Sequence, residues 1–235
     1  MTHFTYRESD GRDLSQDDLC QGDLLERSVA LGKILKDFFP HYHSEDDCRY
    51  FIILTQSCDL VRRNNAPCKS KYITLAPVRP MRMALEEEVH KYQYHPIEKK
   101  LGFISESNRH KIIQFMQRLF NNNESDYFFL FREPELGLEG DFCAFLQQPI
   151  SVRAEDHYDV LLKARILQLQ ESFQHKLGYW VGILYSRVGT ADWVPDNYTE
   201  EDFKRFTEEP VKKDDLVRWL DDRTHRRVLR DLIKK

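Results

Sequence analysis

The chain has 235 residues, with 35 Lys or Arg against 39 Asp or Glu, a formal charge of −4, and 41% hydrophobic residues that include 15 Phe and 11 Tyr. This apolar content excludes wholesale disorder, and nine Gly and nine Pro exclude collagen-like or low-complexity chains. A mildly acidic whole argues against a generic nucleic-acid coat protein.

The first elements read as β. Gly22-Asp23-Leu24 looks like a turn entering a short strand. Val29, Leu31, Ile34, Leu35, Phe38 and Phe39 have helical spacing, against which stands Gly32. Arg49-Tyr50-Phe51-Ile52-Ile53-Leu54 is apolar without alternation, which predicts a strand buried on both faces. Lys71 to Ala76 forms a second strand that Pro77 should end, with turn chemistry over Arg62 to Pro67 between the two.

Residues 81–122 read as a polar helical insertion. Ile112, Ile113, Met116, Leu119 and Phe120 form a stripe on a helix starting near Ser105 or Ser107 and stopping at Asn121-Asn122-Asn123. Tyr127 to Phe131 and Phe142 to Leu146 then make a hairpin around Gly137 and Gly140. From Tyr158 to Leu184, apolar residues three or four apart predict one long amphipathic helix, with Gly178 and Gly182 admitting another backbone and Gly189 capping it. Thr199 with Asp202 resembles a capping box opening a further helix. Leu216, Leu220, Val228, Leu229, Leu232 and Ile233 mark one or two C-terminal helices.

The expected class is therefore α+β: a small, SH3-like, partly open barrel of about five strands, interrupted by a helical insertion and followed by a long helix and a helical tail. The expected division is 1–150 for the barrel with its insertion and 151–235 for a helical region packing on it.

Met1 to Asp13 is polar and acidic, unlike a signal peptide, and the apolar window Leu177 to Tyr185 falls short of the ~20 residues of a membrane span. The five cysteines are odd in number and form no CxxC pair. These features predict a cytoplasmic protein with reduced thiols and no membrane partner. Charge is uneven: residues 210–235 hold nine Lys or Arg against five Asp. The strongest basic cluster is Arg223, His225, Arg226, Arg227 and Arg230, which reads either as a solvated helix face or as a surface for an acidic partner or nucleic acid.

Chemistry is most concentrated at Leu54-Thr55-Gln56-Ser57-Cys58-Asp59, where a buried strand delivers polar side chains in succession. Cys58 and Asp59 are the candidate catalytic pair, a thiolate nucleophile needing a base such as His41, His43, His157 or His175. Thr55, Gln56, Ser57, Arg62, Arg63 and Arg187 are the candidate binding residues. His41, His43, Cys48, Cys58 and Cys68 lack the paired short spacing of a structural zinc site, so neither metal nor cofactor is expected. The fingerprints of P-loop, dinucleotide-binding, zinc-protease and serine-hydrolase folds are absent.

Gly22-Asp23-Leu24, Arg49 to Leu54 and Tyr72-Ile73-Thr74-Leu75-Ala76-Pro77 together resemble the PemK/MazF-like toxins over about residues 22–80. Tyr50 stands where that family has Pro after the Arg, and Val78-Arg79 replaces its hydroxyl after the last strand. The resemblance implies an SH3-like barrel, activity on single-stranded RNA, a homodimer and a protein antitoxin. It places Arg49 as the stabiliser of the transition state. Three functions follow as expectations. The first is a non-catalytic binding or regulatory module in a toxin–antitoxin, phage-defence or related assembly. The others are a metal-independent ribonuclease, with a basic, aromatic groove around Arg49, Arg62, Arg63 and Tyr72, and a cysteine-dependent enzyme centred on Cys58.

Overall fold

Strand formation begins where the sequence predicts it: Gly22 takes φ 83°, a left-handed conformation, and its Cα faces Leu169 so closely that a Cβ would lie 2.8 Å from Leu169 Cδ1. The computed structural model describes residue 6 and residues 18–63, 66–186, 199–213 and 218–233. In chain order its elements are β1 (Asp23–Glu26), α1 (Val29–Phe38), α2 (Pro40–Ser44), β2 (Tyr50–Ile53), α3 (Ser57–Leu60), β3 (Tyr72–Pro80), α4 (Met81–His90), α5 (Pro96–Leu101), β4 (Phe103–Ser105), α6 (Arg109–Phe120), β5 (Tyr127–Leu130), β6 (Phe142–Phe145), β7 (Ile150–Arg153), α7 (Ala154–Ala164), β8 (Arg165–Gln168), α8 (Glu171–Ser186), α9 (Glu200–Lys213), β9 (Arg218–Leu220) and α10 (Asp222–Ile233). The class is α+β, and the main sheet is a curled antiparallel half-barrel.

The chain divides into two compact units. One draws on residues 1–80 and 125–189, the other on 81–124 and 190–235. In the first unit the sheet runs β5-β6-β3-β2-β1-β8, with β7 also on β3. Tyr50 to Ile53 are all buried, with alternate residues serving two clusters. Ile52 joins Leu24, Val78, Phe128 and the α8 residues Leu177, Trp180 and Ile183. Phe51 and Ile53 join Leu31 and Leu35 of α1 and Tyr158 and Leu161 of α7. Continuous apolarity in β2 thus reflects helices on both faces of the sheet.

Pro77 does not end its strand; β3 runs on to Pro80. On one side β3 pairs first with β7, as far as Leu75 opposite Ile150, and then with β6, from Val78 opposite Ala144. Pro77 falls in the gap between them, on the parity that faces that side, so its missing N–H removes no ladder bond.

The long helix expected over Tyr158 to Leu184 is broken into α7, β8 and α8. Leu167 and Leu169 enter the core while β8 pairs with β1, and Asp23 stands opposite Gln168. Pairing with β1 overrides a spacing that suits a helix. Gly178 admits no second backbone: a Cβ there would lie 2.7 Å from Gln21 Oε1, and Gly182 faces open space. Arg187, Gly189 and Leu216 lie outside the described residues.

In the second unit α6 starts at Arg109, after a 3-10 turn capped by Ser105. Phe103 to Ser105, read as helical, form instead a short parallel pair with β9. The Thr199–Asp202 box opens α9, with Thr199 Oγ1 accepting the Asp202 N–H at 3.1 Å.

Candidate functional site

Thr55 to Asp59 follow the end of β2, and their hydroxyls serve the fold. Thr55 Oγ1 accepts the Thr74 N–H at 2.8 Å, and Ser57 Oγ accepts the Gln21 N–H at 3.0 Å. The Gln21 amide donates to Leu54 O at 2.7 Å, and Gln174 of α8 donates to Gln21 O at 2.6 Å. Asp59 is held through its backbone, its carbonyl accepting the Ser70 N–H at 3.0 Å. Cys58 is exposed, and its thiol reaches Gln56 Oε1 at 3.7 Å; among the described residues no histidine hydrogen-bonds to it.

The other candidates are dispersed. Arg49 precedes β2, at the opposite end of that strand from the loop, and its guanidinium is bonded to Glu26 at 2.7 Å. His41 pairs with Glu45 at 2.7 Å, and His175 lies 3.9 Å from Glu171 on an exposed helix face. Cys48 is buried and accepts from Arg79 Nε at 3.2 Å, and burial pushes its thiol up to about 11. Cys68 donates to Ser70 O at 3.3 Å. Among the described residues no three His, Cys, Asp or Glu side chains gather as metal ligands. Arg63 is exposed.

Arg62 meets an open concavity. A cleft of about 920 Å³ lies between residues 66–72 and the start of α7. Its floor is Tyr158, whose hydroxyl accepts the Leu19 N–H and donates to Leu60 O, both at 2.8 Å; burial pushes this phenol up to about 12. Arg62 lies over that ring, 4.2 Å from its centroid, and pairs with Asp159 at 2.7 Å. Arg153 pairs with Glu155 at 3.0 Å and Asp156 at 3.4 Å. The three carboxylates of the cleft are thus engaged by its two arginines. Lys69 and Lys71, both exposed, have no carboxylate partner among the described residues. Tyr72 stands beside them, 55% exposed.

The rim also includes a sheet edge. Arg153 stands opposite Tyr72, and the Ala154 N–H donates to Lys71 O at 2.9 Å. That bond makes Arg153 and Tyr72 a non-hydrogen-bonded pair, so the N–H of Arg153, and by parity the N–H and C=O of Ser151, point away from β3, while the Arg153 C=O opens α7 as its N-cap. No strand among the described residues pairs with that side of β7. Lys69, Lys71, Arg153 and Asp159 were not singled out from the sequence; the signal present was the Lys69-Ser70-Lys71-Tyr72 alternation entering β3.

No helix among the described residues is long and apolar enough to cross a membrane. No family model matches the chain, and none of the curated proteins or solved structures matches it either.

Proposed function

We propose that the chain is a non-catalytic binding module on a small SH3-like scaffold, holding an extended acidic segment of a protein partner within a multi-protein assembly. The observations that carry this reading are the uncompensated lysines of the cleft, Lys69 and Lys71, and the unpaired edge of β7, whose other side pairs with β3 and with Lys71. An extended segment added to that edge satisfies the outward N–H and C=O of Ser151 and the N–H of Arg153. Its alternate side chains then fall on two faces. One set lies beside exposed Ser151 and Arg153, and the other beside buried Ile150 and Val152, on the face that Lys71 shares with Ile73 by alternation. The fitting ligand alternates acidic and apolar residues.

A nucleic acid has no use for a strand edge. The absence of a base bonded to Cys58 and the pairing of Arg49 with Glu26 support binding over the cysteine-dependent and ribonuclease readings. The five unpaired cysteines support a cytoplasmic setting.

A labelled octapeptide of alternating Glu and Val, titrated by fluorescence anisotropy at low salt, is expected to bind. The double variant Lys69→Glu, Lys71→Glu should weaken it by about tenfold or more, since each reversal turns an attraction into a repulsion. Unchanged affinity in the variant, or equal binding of a Lys-Val octapeptide, would overturn the assignment.

A further inference from the structure

The second unit carries a different charged surface. Arg223, Arg226, Arg227 and Arg230 of α10 stand at positions i, i+3, i+4 and i+7, and at about 100° per residue they fall within an arc of about 100°. All four are exposed, and among the described residues none of the four guanidiniums forms an ion pair. Arg226 Nε donates only to the Asp222 carbonyl, at 3.2 Å.

The opposite face of α10 anchors the helix within its unit. His225 is bonded to the buried Glu98 and lies edge-on to Phe103, with 5.6 Å between ring centroids. Val228, Leu229 and Leu232 are half-buried on the same side. The nearby carboxylates are otherwise engaged: Asp221 accepts the Arg223 and Thr224 N–H groups at the start of the helix, and Asp222 is bonded to Ser105 and Ser107. Asp222 and Asp231 border the arginine arc on its two sides, next to Arg226 and Arg227.

From this juxtaposition we infer that the arginine face of α10 is a docking site for the phosphodiester backbone of a nucleic acid. Four guanidiniums in one unpaired row offer bidentate donors to successive phosphates. Within the arc there is no aromatic side chain and the exposed Ile233 stands only at its edge, whereas protein interfaces take most of their energy from apolar and aromatic anchors. A membrane surface would take up the apolar side of an amphipathic helix, and here that side is packed against the protein's own residues. The contact is therefore electrostatic and independent of sequence.

The test is anisotropy of the full chain with a 20-base-pair DNA duplex and with a 20-nucleotide oligouridine RNA, across salt. Four neutralised phosphates predict a log–log salt slope of about −3.6 on the duplex and about −2.8 on the single strand. Between 50 and 200 mM salt the duplex affinity then falls by about 10²-fold. Arg226→Glu with Arg230→Glu should reduce the slope by about two contacts, whereas Arg226→Lys with Arg230→Lys should keep it. Lys69→Glu with Lys71→Glu should leave it unchanged. The tighter of the two affinities at the same salt concentration identifies the nucleic acid preferred. The inference is overturned by no binding of either probe at 50 mM salt, or by a slope that the glutamate pair leaves untouched. It is equally overturned if polyglutamate or anionic vesicles bind more tightly than both nucleic acids.

Discussion

Replacing Arg165 by Met should lower the unfolding free energy by about 3–5 kcal/mol, the usual result of stranding one partner of a buried ion pair. The side chains of Arg165 and Asp23 are 5% and 0% exposed and lie 3.1 Å apart. The same carboxylate accepts the Cys20 N–H at 2.8 Å and the Gln168 amide at 3.1 Å, tying β1 to β8 across the sheet. Burial nevertheless pushes Asp23 up to about 6, against the lowering effect of these donors. The native state therefore holds a proton that the unfolded chain has lost between pH ~4 and ~6. Stability contributed by Asp23 falls as pH rises through that window and levels off above it, by about 3 kcal/mol at 1.36 kcal/mol per unit. Loss of the guanidinium should extend the fall to higher pH, and Asp23→Asn should remove it. Urea unfolding of the three proteins at pH 4, 5, 6 and 7.5 reads all of this. An Arg165→Met protein within 1 kcal/mol of wild type at pH 7.5 would contradict the role assigned to the pair.

Tyr6→Ala should be comparably damaging, by about 3–5 kcal/mol, the range for truncating a buried aromatic ring. Tyr6 is fully buried, pairs with Leu169 just after β8, and donates its hydroxyl to Phe131 O, just after β5, at 3.2 Å. Because β5 and β8 are the two ends of the curled sheet, this one residue touches both sides of its open seam. Its ring joins Leu24, Phe128, Leu130 and Trp180. Tyr6→Phe keeps the ring and loses one hydrogen bond, so about 1 kcal/mol is expected. Equal losses in the two variants, by chemical denaturation, would show that the hydroxyl and not the ring closes the seam.

Local patterns carried much of the fold. The unbroken apolar run of β2 foretold burial on both faces, and Gly22 foretold the turn into β1. What a single sequence concealed depends on partners far along the chain. Residues 165–168 have helical spacing and become a strand only because β1 lies open beside them. Pro77 reads as a terminator until the break between β6 and β7 shows that its missing N–H faces nothing. The cleft was legible only at Arg62 and Tyr72, since Arg153, Tyr158 and Asp159 reach it from some ninety positions away. The basic cluster near the C-terminus was visible as composition. Its division into an arginine row and a half-buried His225 needed the boundaries of α10 and the position of Glu98.

The proposed binding of an extended acidic segment along β7 is best examined by amide hydrogen exchange with and without the Glu-Val octapeptide. Exchange should slow at the Ser151 and Arg153 amides, whose N–H groups point outward, with little change at Val152, already bonded to β3. Peptide binding without protection at Ser151 and Arg153 would contradict strand addition, and no binding at all would contradict the cleft as a partner site.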